Sequence, residues 1–154
     1  MAEKSVWSHL KGKFTFGIIE RHEDSLVLGQ ADTSYNFRHS PMVVQHGDGI
    51  KWVEKGRNYS GWIELKQGVV PKRDSSIVQI KFEPEQKPWL KWRGLYGADA
   101  WVLVRADRTY LLFYWTDIDE LGKVPMGKLK ELAANYWIGG INSIELRETL
   151  MRFN

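Results

Sequence analysis

The chain has 154 residues, 43% hydrophobic and 27% charged, which is enough apolar material for one domain with a real core and excludes disordered and fibrous classes. A net charge of +3 and a pI near 9.1 permit a polyanionic partner without demanding one. Cysteine is absent, which removes disulfide scaffolds and thiolate zinc sites; with no apolar leader and no membrane-length run, a soluble, intracellular protein is expected.

In chain order, residues 4–11 fit a short helix with Val6, Trp7 and Leu10 on one side, and 14–26 suit either helix or strand. ADTSYNF (31–37) alternates: Thr33, Tyr35 and Phe37 take one face, Asp32, Ser34 and Asn36 the other, which predicts a half-buried strand with a polar front. VVQHGDGIKWVE (43–54) sets two β-prone runs around Gly47-Asp48-Gly49, a hairpin signal. GWIELKQG (61–68) predicts a strand with Trp62, Glu64 and Lys66 on one face and Ile63 and Leu65 on the other. SSIVQIKF (75–82) predicts a third core strand.

Pro84-Glu85-Gln86 begins a helix carrying Trp89, Leu90 and Trp92, ended by Gly94 and Gly97. AWVLVR (100–105) and TYLLFYW (109–115) are near-continuous apolar runs suited to the middle of a sheet. Leu129, Leu132, Ala133, Tyr136 and Trp137 fit a helical stripe, and Asn142-Ser143 caps a second short helix, Ile144 to Arg152. The order implies an α/β fold around one mixed sheet flanked by helices, a single domain over 1–154 with a core at about 14–115 and a helical tail at about 125–154. The eight tryptophans suit that core first, although the same ring stacks on nucleobases.

Asp32, Glu64 and Lys66 carry the chemistry. All three fall on the polar faces of their strands, so if those strands are neighbours two carboxylates meet in one place. Like charges at close range repel unless a cation or a proton intervenes. A hard divalent ion such as magnesium resolves this, because it binds through one or two carboxylates and keeps waters for a phosphate substrate. The lysine is then placed to hold a scissile phosphate or to orient and deprotonate the attacking water. Read alone, Glu-x-Lys on a strand is an ordinary solvated ion pair.

The ordered set ERHE, GQADTSYNF, GWIELK, FEPEQKPWL and GADAWVLVRADRTYLLF, spanning residues 21–113, resembles the PD-(D/E)XK nuclease superfamily, in particular its small phage-type and VRR-NUC-like members. The resemblance implies a restriction-endonuclease-like core and a DNA endonuclease dependent on Mg2+ or Mn2+, with Asp32, Glu64 and the main-chain carbonyl of Leu65 as metal ligands and Lys66 as the catalytic lysine. Glu23 matches an additional acidic residue able to reach a second metal, and Gln86 the helix glutamine that approaches the site or the DNA backbone. A bacterial or phage-infected cytoplasm follows from the resemblance too, as do nicking or four-way-junction cleavage, the latter needing a homodimer. No membrane and no small-molecule cofactor are implied. The sequence departs from the pattern at Ala31, where a proline is usual, at Pro88 within the first turns of the Gln86 helix, and in a longer connection from Asp32 to Glu64 filled by the 43–54 hairpin as an insertion.

Rival readings stand beside these. Glu23 also suits a plain surface position and Gln86 a plain helix start. His9, His22, His39 and His46 lack metal-ligand spacing and read as surface residues. The hairpin is either a solvent-facing elaboration or a DNA clamp with Lys51, Trp52, Lys55 and Arg57 as contacts. Lys72, Arg73, Lys81, Lys87, Lys91 and Arg93 are either a solvated face or a track for the DNA backbone. The tail's stripe packs on its own domain or forms a dimer interface. The rival for the whole chain is a catalytically inactive nuclease fold serving DNA binding or assembly, and a sequence-preferring restriction-type enzyme ranks below both.

Overall fold

The computed structural model describes residues 2–23, 27–39, 43–45, 51–53, 57–70 and 76–153. In order the chain forms α1 (Ala2–Lys13), β1 (Gly17–Arg21), β2 (Thr33–Arg38), β3 (Val43–Gln45), β4 (Lys51–Val53), β5 (Asn58–Gly68), β6 (Ile77–Gln79) and α2 (Gln86–Leu95). Then follow β7 (Asp99–Ala106), β8 (Thr109–Tyr114), a 3-10 helix (Trp115–Glu120), β9 (Lys123–Pro125), α3 (Met126–Leu132), β10 (Asn135–Ile138) and α4 (Ser143–Met151).

Six strands make one mixed sheet in the order β1-β2-β5-β7-β8-β10. Every neighbouring pair is antiparallel except β5 and β7, which run parallel and are joined by a crossover that contains α2. A parallel pair needs such a crossover, and it deposits a helix on the face of the sheet. The result is an α/β architecture with helices on both faces.

The two faces carry separate cores. On one, Val6 and Leu10 of α1 and Leu146 and Leu150 of α4 pack on Tyr35, Phe37, Ile63, Leu65, Trp101 and Leu103. On the other, Leu90 of α2, Ile118 of the 3-10 helix and Leu129 of α3 pack on Val102, Val104, Leu111 and Phe113. The continuous apolar runs at 100–105 and 109–113 follow from this, because β7 and β8 are covered on both sides. The core therefore draws on α1 and α4 as well as on the expected span of about 14–115.

Several expectations hold at element level. The first helix, the polar-fronted strand, the paired strands of the 43–54 hairpin and the Asn142-capped last helix all form, with Asn142 Oδ1 accepting from the Glu145 N–H at 3.0 Å. Residues 17–21, left open between helix and strand, are an edge strand. The turn of the hairpin and the side chains of its strands lie outside the described residues.

Two expectations are corrected. The third core strand expected within 75–82 forms at Ile77–Gln79 and buries Val78, but it pairs with Lys123–Pro125 in a two-stranded ribbon, bridged to Val69 through Gln79, and not within the six-stranded sheet. With β5 and β7 directly paired, the crossover has to run over the face, where Val78 and Ile80 still bury their side chains. The tail at 125–154 is not wholly helical. α3 ends at Leu132, and Tyr136 and Trp137 lie on β10, which supplies hydrogen-bonding partners to the edge of β8 that would otherwise face solvent. Period two then explains why Trp137 is buried while Tyr136 and Ile138 stay exposed.

Candidate active site

In the antiparallel ladder of β2 and β5, Thr33 lies across from Ile63, so one step further Asp32 lies across from Glu64. The Glu64 side chain projects from the face opposite the one that buries Thr33, Tyr35, Ile63 and Leu65, and Asp32 stands just before the first residue of β2. Asp32 Oδ2 accepts from the Leu65 N–H at 2.9 Å. A strand residue turns its N–H and its C=O toward the same neighbour. The Leu65 carbonyl is therefore directed to the side where Asp32 stands, beyond the end of β2.

The polar face is not a solvent front at this point. Glu64 is 1% exposed and Lys66 8%, because α2 lies over them. Burying two opposite charges costs several kcal/mol each unless hydrogen bonds hold both. Gln86 supplies them. Its Oε1 accepts from Lys66 Nζ at 2.7 Å and from the Glu83 N–H at 2.9 Å, while its Nε2 donates to Glu64 Oε1 at 2.7 Å. The reverse orientation would set an amide NH2 against an ammonium and a carbonyl against a carboxylate, so the charges fix the amide. Lys66 Nζ also lies 5.0 Å from the Phe82 ring centroid, a cation–π contact in the same enclosure.

Local sequence explains how Gln86 arrives there. Pro88 does not disrupt α2, because it occupies the third helical position, where an N–H has no intrahelical acceptor. The first helical bond is made by Trp89 N–H to the Glu85 carbonyl at 3.0 Å. Gly29, with φ +80°, brings the loop before Asp32 against Glu85, where a Cβ would collide with the Glu85 main chain. That close approach holds the Asp32 loop against the start of α2. Gly94 does the same further along, where a side chain would strike the Trp115 ring.

The remaining predicted residues fall elsewhere. Glu23 is 62% exposed, pairs with Arg21 at 3.4 Å, and stands outside the Gln86 network. Lys87 Nζ donates to the Leu121 carbonyl at 2.5 Å, and burial lowers its pKa. Lys91 pairs with Asp119 at 2.6 Å. The Arg57 guanidinium lies 5.2 Å from the Tyr59 ring centroid. Lys51 and Trp52 belong to β4, with side chains outside the described residues, as are Lys55, Lys72 and Arg73 altogether.

The structure adds His22, which the spacing rule set aside as a surface residue. Its N–H donates to the Asp32 carbonyl at 2.7 Å, its Nε2 lies 2.7 Å from Ser34 Oγ, and its ring lies 5.4 Å from that of Trp62. Reading 17–21 as a strand antiparallel to 33–37 is the signal that would have placed it beside Asp32.

Among the described residues no cluster of three or more carboxylates or imidazoles forms. Asp32, Glu64 and the Leu65 carbonyl, were they to share an ion, would offer it only hard oxygen ligands, and that chemistry suits Mg2+ or Mn2+. Among the same residues no helix is long and apolar enough to cross a membrane. Compared with known proteins, the chain matches no family model, and no curated protein or solved structure matches it significantly.

Proposed function

We propose that this chain is a metal-dependent DNA endonuclease of the PD-(D/E)XK kind, hydrolysing phosphodiester bonds by nicking or by cleaving branched DNA in a bacterial or phage-infected cytoplasm. One observation carries the reading: Asp32, just beyond the end of β2, accepts from the N–H of Leu65, the residue next to Glu64 on β5, with Lys66 two residues along the Glu64 face.

Asp32, Glu64 and the Leu65 carbonyl would hold the ion. The chemistry supplied by a bound Mg2+ is neutralisation of charge at the phosphodiester and a lowered pKa for water. Lys66 presents a compact cation that can donate to a phosphate oxygen as negative charge builds there. Gln86 keeps the ammonium and the Glu64 carboxylate 2.7 Å from either end of one amide, so neither drifts before substrate arrives. Water adds to phosphorus, the P–O bond to the leaving group breaks, and the departing oxygen takes up the proton.

The test is conversion of supercoiled plasmid to nicked or linear forms. Wild type is expected to cut with Mg2+ or Mn2+ and not with chelator, and Asp32→Asn to leave the plasmid intact. A chain that binds DNA yet never cuts with either ion is the inactive binding or assembly protein instead. A panel of linear, flapped, looped and four-way DNAs then identifies the substrate.

A further inference from the structure

Helix α2 does more than carry Gln86 to the site. Its outer surface exposes Trp92 (59%) and Tyr96 (79%), whose rings stack at 5.3 Å with only 6° between their planes. One turn nearer the sheet, Trp89 meets Trp62 edge to face at 5.2 Å, and the Arg93 guanidinium lies 4.8 Å from the Trp89 centroid and 5.9 Å from that of Trp62. Trp89, Trp92, Arg93 and Tyr96 together line an open hollow of about 390 Å3. Trp62 precedes Glu64 by two residues on the same face of β5, so the aromatic surface runs without interruption from the candidate active site out along the helix.

Exposed, parallel aromatic rings with a guanidinium among them are costly to leave in water and suit a flat π system linked to an anion. We propose that this surface is a stacking platform for unpaired nucleobases: a single-stranded segment of the substrate, a flap or a frayed end, lies along α2 with its bases on Trp92 and Tyr96 and a phosphate at Arg93. The choice of a DNA strand rests on the nuclease reading; the platform geometry stands by itself. A paired duplex hides its base faces, so the platform selects DNA with an unpaired stretch next to the scissile bond. A second copy or another protein is the poorer occupant, because four side chains around one hollow fall far short of the roughly 20–30 residues per side of a stable protein interface.

The test measures affinity in chelator, so that it does not depend on cleavage, using a short oligothymidylate and a duplex of equal length. Wild type is expected to favour the single strand, with quenching of tryptophan fluorescence. The double variant Trp92→Ala/Tyr96→Ala is expected to lower the single-strand to duplex affinity ratio about tenfold or more, since each of the two stacked bases is worth about fivefold or more. Trp92→Phe/Tyr96→Phe, which keeps the rings, is expected to restore most of it. Both changes are on the surface, and an unaltered melting curve verifies the fold. An unchanged ratio in the alanine variant overturns the platform, as does a dimer that the alanine variant dissociates while its oligothymidylate affinity stays the same. If the ratio falls as expected but wild type cuts no DNA with Mg2+ or Mn2+, the platform stands and the nuclease reading falls.

Discussion

The two faces of strand β5 are both buried, yet they do opposite things. Toward α1 and α4, Ile63 and Leu65 join a core that is almost wholly apolar. Toward α2, Glu64 and Lys66 are hidden almost as thoroughly and are joined end to end through one glutamine amide. The first face gains free energy from every methylene it removes from water. The second spends some of that gain on desolvating two ionisable side chains, a cost that the Gln86 hydrogen bonds offset only in part. Burial alone therefore does not separate scaffold from site; what is buried does.

Substitutions along β5 test that contrast most directly. On the proposed function, Glu64→Gln is expected to lower Mg2+-dependent plasmid nicking by about 10³-fold or more, since it removes a charge proposed to hold the ion while size and shape persist. Ile63→Ala, one residue away on the other face, is expected to cost about 3 kcal/mol by opening a cavity. In a thermal melt that lowers the midpoint by roughly 6–12 °C. If Glu64→Gln instead destabilised as much as Ile63→Ala while nicking survived, the two faces would be equivalent and the proposed division lost.

A smaller effect is expected at the bridge. Gln86→Leu removes the amide but no ligand, and outer partners of a metal site are typically worth about 10–100-fold in affinity or activity. Steady-state nicking against Mg2+ concentration measures it, and a shift in the metal requirement is the result that ties Gln86 to the site. A merely structural Gln86 would lower the melting midpoint and leave the metal requirement alone.

The smallest expected effect belongs to the apolar face. His9 stacks on Tyr110 at 4.2 Å, its Nε2 accepts from the Ile141 N–H at 3.0 Å, and burial, aided by Lys13 and Arg105, lowers its pKa below the usual 6.5. The folded chain therefore binds fewer protons there than the unfolded chain, so stability rises with pH across that window. The contribution is complete above about pH 6.5 and is lost as the pH falls through the depressed value. Melting midpoints from pH 8 to pH 5 are expected to decline, and His9→Gln to flatten that decline.

Part of the candidate site's arrangement was legible in the sequence. The period of two in 61–68 assigns Glu64 and Lys66 to one face whatever the strand pairs with, whereas Asp32 falls just before β2. Gln86 was legible as a helix start, but the proline at 88 obscured it until the helix boundary showed that no N–H bond was forfeited. His22 was hidden, because its segment has no decisive period and its value depends on β1 pairing with β2. The tail misled for a related reason: Leu129 through Trp137 fits a helical stripe on paper, and only the open edge of β8 turned its second half into a strand.

By itself, the sequence determined which residues within β2 and β5 share a face, where α2 and α4 begin, and that a mixed α/β sheet would form, because periodicity and capping act within a few residues of chain. Tertiary structure decided that β2 and β5 are neighbours, that α2 lies over Glu64 and Lys66 and joins them through Gln86, and that β10 completes the sheet. Those outcomes depend on contacts between segments distant in sequence, where the desolvation of a charge or the pairing of an open strand edge outweighs local preference.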